Sequence, residues 1–427
     1  MIVSAGSRFV SRCWRRSLFA GVLLFTSLGC IRVSPPSLLV TDADIEVGAG
    51  GAIASGISAT GGDSASCGSG ETACPTGCAT LDTDTKNCGT CGHDCLSGGS
   101  CEAGQCLPTV LTELTASPTI FGLDSTDLYF AQYNPVSSDA ASFAQESGDA
   151  LHIEKTAVRG AAAPIVAGLL NSRFIGVVDS LLFWNRRDEA GTLGAFCDMA
   201  NCGASIAFPF GADGQVIRFH TPLSRSIAVY SGDSISSPLK ITWYAVAGKG
   251  VVKMASSSET LNIGWMADDL YASGDAVYWH SGRADSLDAS MAGTLYRKGT
   301  STDSQTFFKL ADNLDFYMFF LDANPQSVLL TDIMDSLLYR VPLPDGLGSN
   351  PPQALTGIKT FVATEDENGV YWFDSDGNLY RCSPTDCSQT QTVLAKGQSL
   401  NGNVLLQDAT ALYWAVANPY RIMRIAK

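Results

Sequence analysis

The sequence is short of histidine and of charge. Only 16% of its 427 residues are charged, and its four histidines lie far apart, at His93, His152, His220 and His280. It contains no His-Glu-x-x-His, no Gly-x-Ser-x-Gly and no phosphate loop, so the linear motifs of zinc proteases, serine hydrolases and nucleotide-binding enzymes are absent. The sequence therefore predicts no catalytic residue, no metal site and no cofactor.

Basic residues and long apolar runs are scarce as well. The chain has 27 Lys and Arg residues against 42 Asp and Glu residues, which gives a formal net charge of −15. An acidic surface repels phosphate backbones, so the charge argues against a nucleic acid as a partner. The most apolar run near the N-terminus, residues 18–28, is too short for a transmembrane helix, which needs roughly 20 residues.

That apolar run has the features of an export signal. It follows four arginines and has the length of a signal-peptide hydrophobic region, so we place a signal peptide at residues 1–29. The run stops at Gly29-Cys30, which resembles a bacterial lipobox. The resemblance implies that Cys30 is diacylated and attaches the protein to a membrane. The alternative is ordinary signal-peptidase cleavage nearby, with Cys30 unmodified. We expect an exported protein, either an outer-membrane or cell-surface lipoprotein or otherwise a periplasmic or secreted protein.

Two segments precede the larger part of the chain. Residues 30–66 are rich in Gly, Ala and Ser without helical or strand periodicity, which predicts a flexible linker behind the lipid-anchor cysteine. Residues 67–107 contain few apolar side chains and an even number of cysteines. This composition predicts a disulfide-rich module in an oxidising compartment, with each cross-link contributing on the order of 2–4 kcal/mol. Spacing does not choose among the connectivities of Cys67, Cys74, Cys78, Cys88, Cys91, Cys95, Cys101 and Cys106.

This module resembles a known family. The run from Cys74 to Cys106, with Asn-Cys-Gly-x-Cys-Gly-x-x-Cys at Asn87–Cys95, is similar to the cysteine-rich repeat of stigma-specific proteins. The same pattern recurs in secreted proteins of soil-dwelling Gram-negative bacteria, ahead of a larger domain. The resemblance implies an extracellular module without an activity or a ligand. Zinc is the alternative, because Cys88 and Cys91 have ligand spacing.

From residue 108 onwards the chain repeats weakly. A short apolar-aromatic strand recurs at intervals of 42–54 residues, and a second short strand usually follows it. The strands are aromatic or β-branched and are separated by Gly, Asp, Asn or Pro turns. A unit of this length with four such strands has the size of one propeller blade. The central residues of the recurring strand are Tyr129, Phe183, Val229, Tyr278, Leu329, Tyr371 and Tyr413.

The repeat predicts an all-β fold, a single β-propeller over residues 108–427 preceded by the small disulfide-rich module. Seven four-stranded blades divide the repeat best, within a range of six to eight. The last unit ends soon after its third strand, so we expect Thr109–Ala116 to supply the missing outer strand and close the ring. We expect the module to be tethered outside the ring. The tryptophans of the recurring strand should be buried between neighbouring blades, at Trp184, Trp279, Trp372 and Trp414.

The repeat resembles the Tyr-Trp-Thr-Asp propellers and their bacterial relatives. The sequences Tyr371-Trp372-Phe373-Asp374 and Leu329-Leu330-Thr331-Asp332 come nearest to that motif. The resemblance implies that these residues pack blade on blade and belong to the core, not to a ligand site.

Four further cysteines fit the same repeat. Cys197-x4-Cys202 and Cys382-x4-Cys387 each follow the second strand of a unit, at matching positions. This spacing suits a small disulfide loop that clips a hairpin, and free buried thiols are the alternative. Near the second pair, Asp374 begins a run with some features of a calcium loop. It lacks the distal acid, so a hairpin turn is the better interpretation.

Together these features predict an extracytoplasmic, lipid-anchored binding or adhesion protein. Its partner would be an extracellular protein or a polysaccharide. A propeller can bring residues from many blades to one point, and aspartates converging on its channel could bind a cation or polarise a substrate. A propeller-based polysaccharide lyase or hydrolase is therefore the first alternative. A structural or envelope-assembly lipoprotein is the second.

Overall fold

In the computed structural model of the chain, the regular secondary structure of the described residues is almost entirely β-strand. Residues 1–66, to which the predicted signal peptide, the predicted linker and Cys30 belong, lie outside the described residues, as do several side chains, including that of Trp279. No helix in the described part of the chain has the length and hydropathy that a membrane span requires. The structure describes residues 67–134, 147–168, 172–188, 191–204, 207–210, 216–223, 226–232, 240–247, 250–256, 270–273, 276–281, 293–299, 308–314, 318–323, 327–332, 336–343 and 353–427.

The disulfide-rich module contains two short antiparallel hairpins. The first joins β1 (Thr72–Cys74) to β2 (Gly77–Ala79), and the second joins β3 (Cys101–Glu102) to β4 (Gln105–Cys106). Turns connect them, and one is fixed by Asn87. Its Oδ1 accepts a hydrogen bond from the backbone N–H of Gly92 at 2.9 Å, where φ is 80°. This contact explains why the Asn-Cys-Gly-x-Cys-Gly run needs both an asparagine and a glycine.

Beyond the module, the described residues form seven four-stranded antiparallel sheets, which we number I to VII. Sheets I to VI each use four consecutive strands, and a 3-10 helix (Met199–Ala204) follows β12. Sheet I contains β6 (Ser117–Leu123), β7 (Asp127–Asn134), β8 (Ser147–Glu154) and β9 (Ala163–Val166); sheet II contains β10 (Ser172–Val178), β11 (Leu181–Asp188), β12 (Gly191–Asp198) and β13 (Ala207–Phe210); sheet III contains β14 (Val216–Leu223), β15 (Ser226–Gly232), β16 (Lys240–Ala247) and β17 (Gly250–Ser256). Sheet IV contains β18 (Leu270–Ser273), β19 (Ala276–Ser281), β20 (Gly293–Gly299) and β21 (Phe308–Leu314); sheet V contains β22 (Met318–Ala323), β23 (Ser327–Asp332), β24 (Leu337–Pro342) and β25 (Gln353–Lys359); sheet VI contains β26 (Ala363–Asp366), β27 (Gly369–Phe373), β28 (Leu379–Cys382) and β29 (Thr392–Ala395).

Sheet VII is assembled from two distant parts of the chain. It contains β30 (Leu400–Gln407), β31 (Ala411–Val416) and β32 (Arg421–Ala426), and its outer strand is β5 (Thr109–Glu113). In the β32–β5 register, Arg421 lies opposite Glu113 and Met423 lies opposite Val110. The prediction that this segment supplies the missing outer strand is therefore confirmed.

The sheets follow one another around a ring. The first strand of each sheet contacts the first strand of the next, and β30 of sheet VII contacts β6 of sheet I. A cyclic succession of four-stranded antiparallel sheets is a closed β-propeller, as the sequence predicts.

The recurring aromatic strand builds the core between sheets. Side chains alternate along a strand, so neighbouring residues face opposite ways. Tyr413 therefore packs with Ile120 and Phe130 of sheet I, whereas Trp414 packs with Tyr371 of sheet VI.

The other described tryptophans of the repeat obey the same rule. Trp372 packs against Leu329 of sheet V, and Trp184 packs against Phe121 of sheet I. Each of the three described tryptophans is at most 3% exposed, as predicted.

One expectation was wrong, because the disulfide-rich module is not tethered outside the ring. Ala426, at the end of β32, lies in one buried cluster with Cys88, Cys95 and Cys106. Only Leu107 and Pro108 separate β4 from β5. The module therefore packs directly on sheet VII, because so short a connection leaves it beside the strand that it precedes.

Candidate functional site

Polar groups concentrate at one end of the ring, which we call the first-turn face. It is the end at which the first strand of each sheet turns into the second. In sheets I, VI and VII this turn is held by an aspartate that accepts backbone hydrogen bonds. Asp124 Oδ1 accepts from Thr126 N (2.8 Å) and Asp127 N (2.7 Å). Equivalent bonds occur at Asp366, from Asn368 and Gly369, and at Asp408, from Thr410 and Ala411. These aspartates are hairpin residues.

In two of these turns the second carboxylate oxygen binds a tyrosine of the repeat. Tyr129 Oη donates to Asp124 Oδ2 at 2.7 Å, and Tyr413 Oη donates to Asp408 Oδ2 at 2.9 Å. Burial raises the pKa of both tyrosines, and the neighbouring carboxylates raise it further. The hydroxyls are therefore fixed as donors to the turns and are unsuited to act as bases.

Two lysines join neighbouring sheets across the first-turn face. Lys155, which follows β8 of sheet I, places Nζ 2.8 Å from Asp408 Oδ2 of sheet VII. Lys427, which follows β32 of sheet VII, places Nζ 2.5 Å from Asp366 Oδ2 of sheet VI. Burial alone would raise the pKa of Asp408, but the hydrogen bonds from Lys155 and Thr410 outweigh burial and hold it at about 2. Both seams of sheet VII therefore carry an ion pair.

A further network joins sheets V and VI. Glu365 accepts Arg340 Nε at 2.8 Å and Ser327 Oγ at 2.6 Å. Asp322 Oδ2 accepts Thr364 Oγ1 at 2.5 Å and Glu365 N at 3.0 Å. Burial raises the pKa of Glu365, against the opposing effect of Ser327 and Arg340. These acids do converge, but their oxygens bind groups of the protein itself, so the network serves to join sheets.

One pair on this face has a different character. His152 Nδ1 lies 2.9 Å from Asp127 Oδ1, and the His152 side chain is 37% exposed. The Asp127 carboxylate also accepts Thr126 Oγ1 at 2.7 Å, and the imidazole stacks on Tyr129. A carboxylate that orients an accessible imidazole is the arrangement used by general bases.

The other histidines take no part in this pair. His93 Nδ1 lies 2.7 Å from the Cys88 carbonyl oxygen inside the module. The side chains of His220 and His280 lie outside the described residues.

A basic residue opposite the recurring strand was missed by the sequence reasoning. In several sheets the third strand places a basic residue across from the central residue of the repeat. Arg340 then reaches Glu365 of the following sheet, and Arg424 donates to the Lys155 carbonyl oxygen of the following sheet. The signal was present, because Leu-Tyr-Arg recurs in third strands. The cross-strand pairs are Tyr129 and His152, Tyr278 and Arg297, Leu329 and Arg340, Tyr371 and Arg381, and Tyr413 and Arg424.

All twelve cysteines from Cys67 onwards form disulfides. Within the module the loops overlap in succession, as Cys67–Cys78, Cys74–Cys91, Cys88–Cys101 and Cys95–Cys106. The two spaced pairs close as Cys197–Cys202 and Cys382–Cys387, opposite Leu182 and Val370, which are equivalent positions of the repeat.

Sulfur atoms of Cys88, Cys95 and Cys106 lie within 4.8 Å of one another. Each is bonded to another sulfur, so none is a thiolate ligand, and the zinc interpretation of Cys88 and Cys91 does not fit this pairing. The aspartate of the calcium-like run is also occupied. Asp374 Oδ1 accepts the backbone N–H groups of Asp376 and Asn378, which makes the hairpin turn.

The fold has counterparts among solved structures, although no family model matches the chain and no curated protein matches its sequence. The β-propeller domain of the Trilobed protease from Pyrococcus furiosus has a TM-score of 0.50 at 10% identity, over 72% of this chain and 95% of that domain. An acylaminoacyl peptidase from Pyrococcus horikoshii has a TM-score of 0.48 at 10% identity, over 75% of this chain and 52% of the peptidase. BamB from Moraxella catarrhalis has a TM-score of 0.42 at 12% identity, over 75% of this chain and 99% of BamB.

At this identity the first of these similarities supports the propeller fold alone. The chain spans about half of the Pyrococcus horikoshii peptidase. The Trilobed protease domain is described as having an open velcro topology. In this chain β5 pairs with β32, so the ring is closed by a strand from the other end of the propeller.

Proposed function

We propose that this protein is exported, attached to a membrane through Cys30, and binds an extracellular protein or polysaccharide through its propeller. In this proposal the module belongs with the stigma-specific repeats and the ring with the Tyr-Trp-Thr-Asp propellers. Six disulfides in the described residues support an oxidising compartment, because the cytosol keeps thiols reduced.

The observation that carries the binding proposal is the difference between the two ends of the ring. At the first-turn face, acids and bases of the repeat bind one another, and the module packs beside them. The turns from first to second strand there are only two or three residues long. At the opposite end, the connections from the second strand to the third range in length from two residues in sheet II to twelve in sheet I, whereas the longer connections of the first-turn face, from the third strand to the fourth, do not exceed ten. Variable connections on a rigid scaffold are where binding proteins place their contacts.

An enzyme is the second candidate, and the His152–Asp127 pair is the observation that favours it. A polysaccharide lyase or hydrolase needs a base with access to solvent, and this imidazole is both oriented and partly exposed. The hydroxyl beside this pair is that of Thr126, which donates to the Asp127 carboxylate at 2.7 Å and is therefore not activated by the imidazole. Binding without turnover therefore remains our first proposal.

Binding and turnover can be separated on one protein preparation. The purified chain is applied to glycan and protein arrays, and in parallel to lyase and hydrolase substrates with and without a calcium chelator. A ligand that binds without being converted supports the first proposal. Turnover that is lost in His152→Asn, while unfolding stays unchanged, replaces it by the second. If neither binding nor turnover occurs, both proposals are wrong.

The location is tested separately. Mass spectrometry of the membrane fraction should find a mature chain that begins at diacylated Cys30, and Cys30→Ala should remove the protein from that fraction. Thiol titration of the denatured, unreduced protein should find almost no free sulfhydryl among the twelve cysteines from Cys67 onwards. A soluble chain with a different N-terminus would contradict lipid attachment without affecting the binding proposal.

A further inference from the structure

The closing sheet of the ring depends on contacts that hold two chain segments together. Among the sheets formed by the described residues, sheet VII alone joins strands from both ends of the propeller. No hairpin connects β5 to β32, so their pairing must offset the entropy of closing a loop that contains sheets I to VI. A part of the molecule that contacts both β5 and β32 therefore stabilises their pairing.

The disulfide-rich module rests on both strands. On the β32 side, Ala426 is buried with Cys88, Cys95 and Cys106. Leu96 packs against the buried cluster between sheets VII and I, to which β5 contributes Leu111. Burying an aliphatic side chain of this size is worth roughly 1.5–3 kcal/mol. Two disulfides, Cys88–Cys101 and Cys95–Cys106, form the face of the module that makes these contacts.

Arg424 adds a polar contact at the same place. It lies on β32 opposite Thr109 of β5, and it is 3% exposed. One arm of its guanidinium donates to the Ser97 carbonyl oxygen of the module, and the other donates to the Lys155 carbonyl oxygen of sheet I. A single buried side chain therefore joins the module, the closing sheet and the first sheet.

The backbone conformation of Leu96 indicates that its contact with the ring is a specific feature of the fold. Its φ is 67°, in the left-handed region that costs a non-glycine residue about 1–2 kcal/mol. The turn is held by Asp94 Oδ1, which accepts the Leu96 N–H at 2.8 Å, and by the Leu96 carbonyl oxygen, which accepts Gly99 N at 3.1 Å. A leucine is kept in an unfavourable conformation where its side chain reaches the core of the ring.

We propose that the disulfide-rich module is an intramolecular clamp that holds the closing sheet of the propeller shut. The module keeps β5 paired with β32 by burying Leu96 and Ala426 at the seam and by accepting the hydrogen bond from Arg424. This role is independent of any ligand and of membrane attachment, so it stands or falls separately from the proposed function.

Hydrogen exchange followed by mass spectrometry on the full chain tests the clamp. In Cys95→Ser/Cys106→Ser, the amides of residues 109–113 and 421–426 should exchange at least about tenfold faster, with β23 of sheet V unchanged, because local opening is freed without global unfolding. The matched control is Cys67→Ser/Cys78→Ser, which removes a disulfide of equal loop length whose cysteines are not in the Ala426 cluster. It should leave β5 and β32 protected.

A second variant keeps every disulfide. Leu96→Asn retains a residue that tolerates the left-handed conformation and removes the apolar contact. It should also accelerate exchange in β5 and β32. Unchanged exchange there in Leu96→Asn overturns the clamp, whatever the cysteine variant does. Equal acceleration in all sheets also overturns it, because the module would then stabilise the ring as a whole and not its closure.

Discussion

Sheets VI and VII are neighbours in the ring, but the strands of each are held together in different ways. Sheet VI is made of four consecutive strands and carries its own disulfide, Cys382–Cys387. Sheet VII takes its outer strand from the other end of the propeller and contains no cysteine. Its supports come from outside the sheet, as Lys155 of sheet I and Asp366 of sheet VI.

The difference follows from chain entropy. A strand that follows its neighbour through a short hairpin is held nearby by the chain itself, so a small covalent loop is enough to fix it. A strand that arrives from a distant segment has no such restraint. The sheets made of consecutive strands are therefore held by the chain and by packing against their neighbours, whereas sheet VII also depends on contacts from outside the sheet. This is expected for an array in which each unit packs on its neighbours.

The largest effects should come from the tryptophan that each of these two sheets carries at the same position of the repeat. Trp414→Ala and Trp372→Ala should each cost about 3–5 kcal/mol, because both side chains are buried between sheets. Urea denaturation followed by circular dichroism measures this cost. In Trp414→Ala, exchange in sheet VII should also rise ahead of the global transition. A cost below about 1 kcal/mol for Trp414→Ala would mean that sheet VII is not packed in the closed ring.

Two buried leucines separate closure from ordinary packing. Leu111 of β5 and Leu338 of β24 are both fully buried, and truncation of either to alanine should cost about 2–5 kcal/mol. Because β5 has no hairpin to β32, Leu111→Ala should open sheet VII locally. Limited proteolysis should then cut first after Leu412. Leu338→Ala should leave that segment as protected as in the unaltered protein, and early cleavage there in both variants would remove the distinction.

The recurring strand and the closing strand could be predicted because their signals are local. Alternating aromatic residues indicate a strand that packs on both faces. A four-stranded unit that lacks its fourth strand indicates that another segment of the chain supplies it. The docking of the module and the pairing of Lys155 with Asp408 could not be predicted in this way. Lys155 and Asp408 are separated by 253 positions, and no local sequence pattern indicates that two charges so far apart form an ion pair.

The third-strand arginines lie between these cases. Leu-Tyr-Arg recurs visibly in the sequence, so a repeated basic residue could have been noted. Its partner differs from sheet to sheet, as the Glu365 carboxylate for Arg340 and backbone carbonyl oxygens for Arg424. The recurrence can be seen in the sequence, but the partner of each arginine follows only from the strand pairing in the folded ring.

A smaller, pH-dependent effect is expected at the seam between sheets I and VII. The pKa of Asp408 is held at about 2, below its ordinary value of 3.8, so its carboxylate stabilises the folded state above about pH 4. That stability, about 1–2 kcal/mol after allowance for solvent, should be lost as the pH falls from about 4 to about 2. Urea unfolding of the unaltered protein and of Asp408→Asn at several pH values measures it. The difference between the two should shrink over this window, and a constant difference would contradict the ion pair with Lys155.

The smallest expected effect is a difference of about 1 kcal/mol between two glycine variants of the module, which separates contact with the ring from backbone strain. Gly92 and Gly98 both have positive φ, but a Cβ at Gly92 would meet nothing within 4 Å, whereas one at Gly98 would lie 2.3 Å from Val158 Cγ2 of the β8–β9 connection. Gly92→Ala should cost about 1–2 kcal/mol from backbone strain alone. Gly98→Ala should cost about 1 kcal/mol more, because the module is pushed from sheet I. Adding Val158→Ala should return Gly98→Ala to the level of Gly92→Ala in thermal unfolding. If Val158→Ala gives no recovery, the module does not press on the β8–β9 connection at Gly98, and its contact with sheet I rests on the cluster around Leu96.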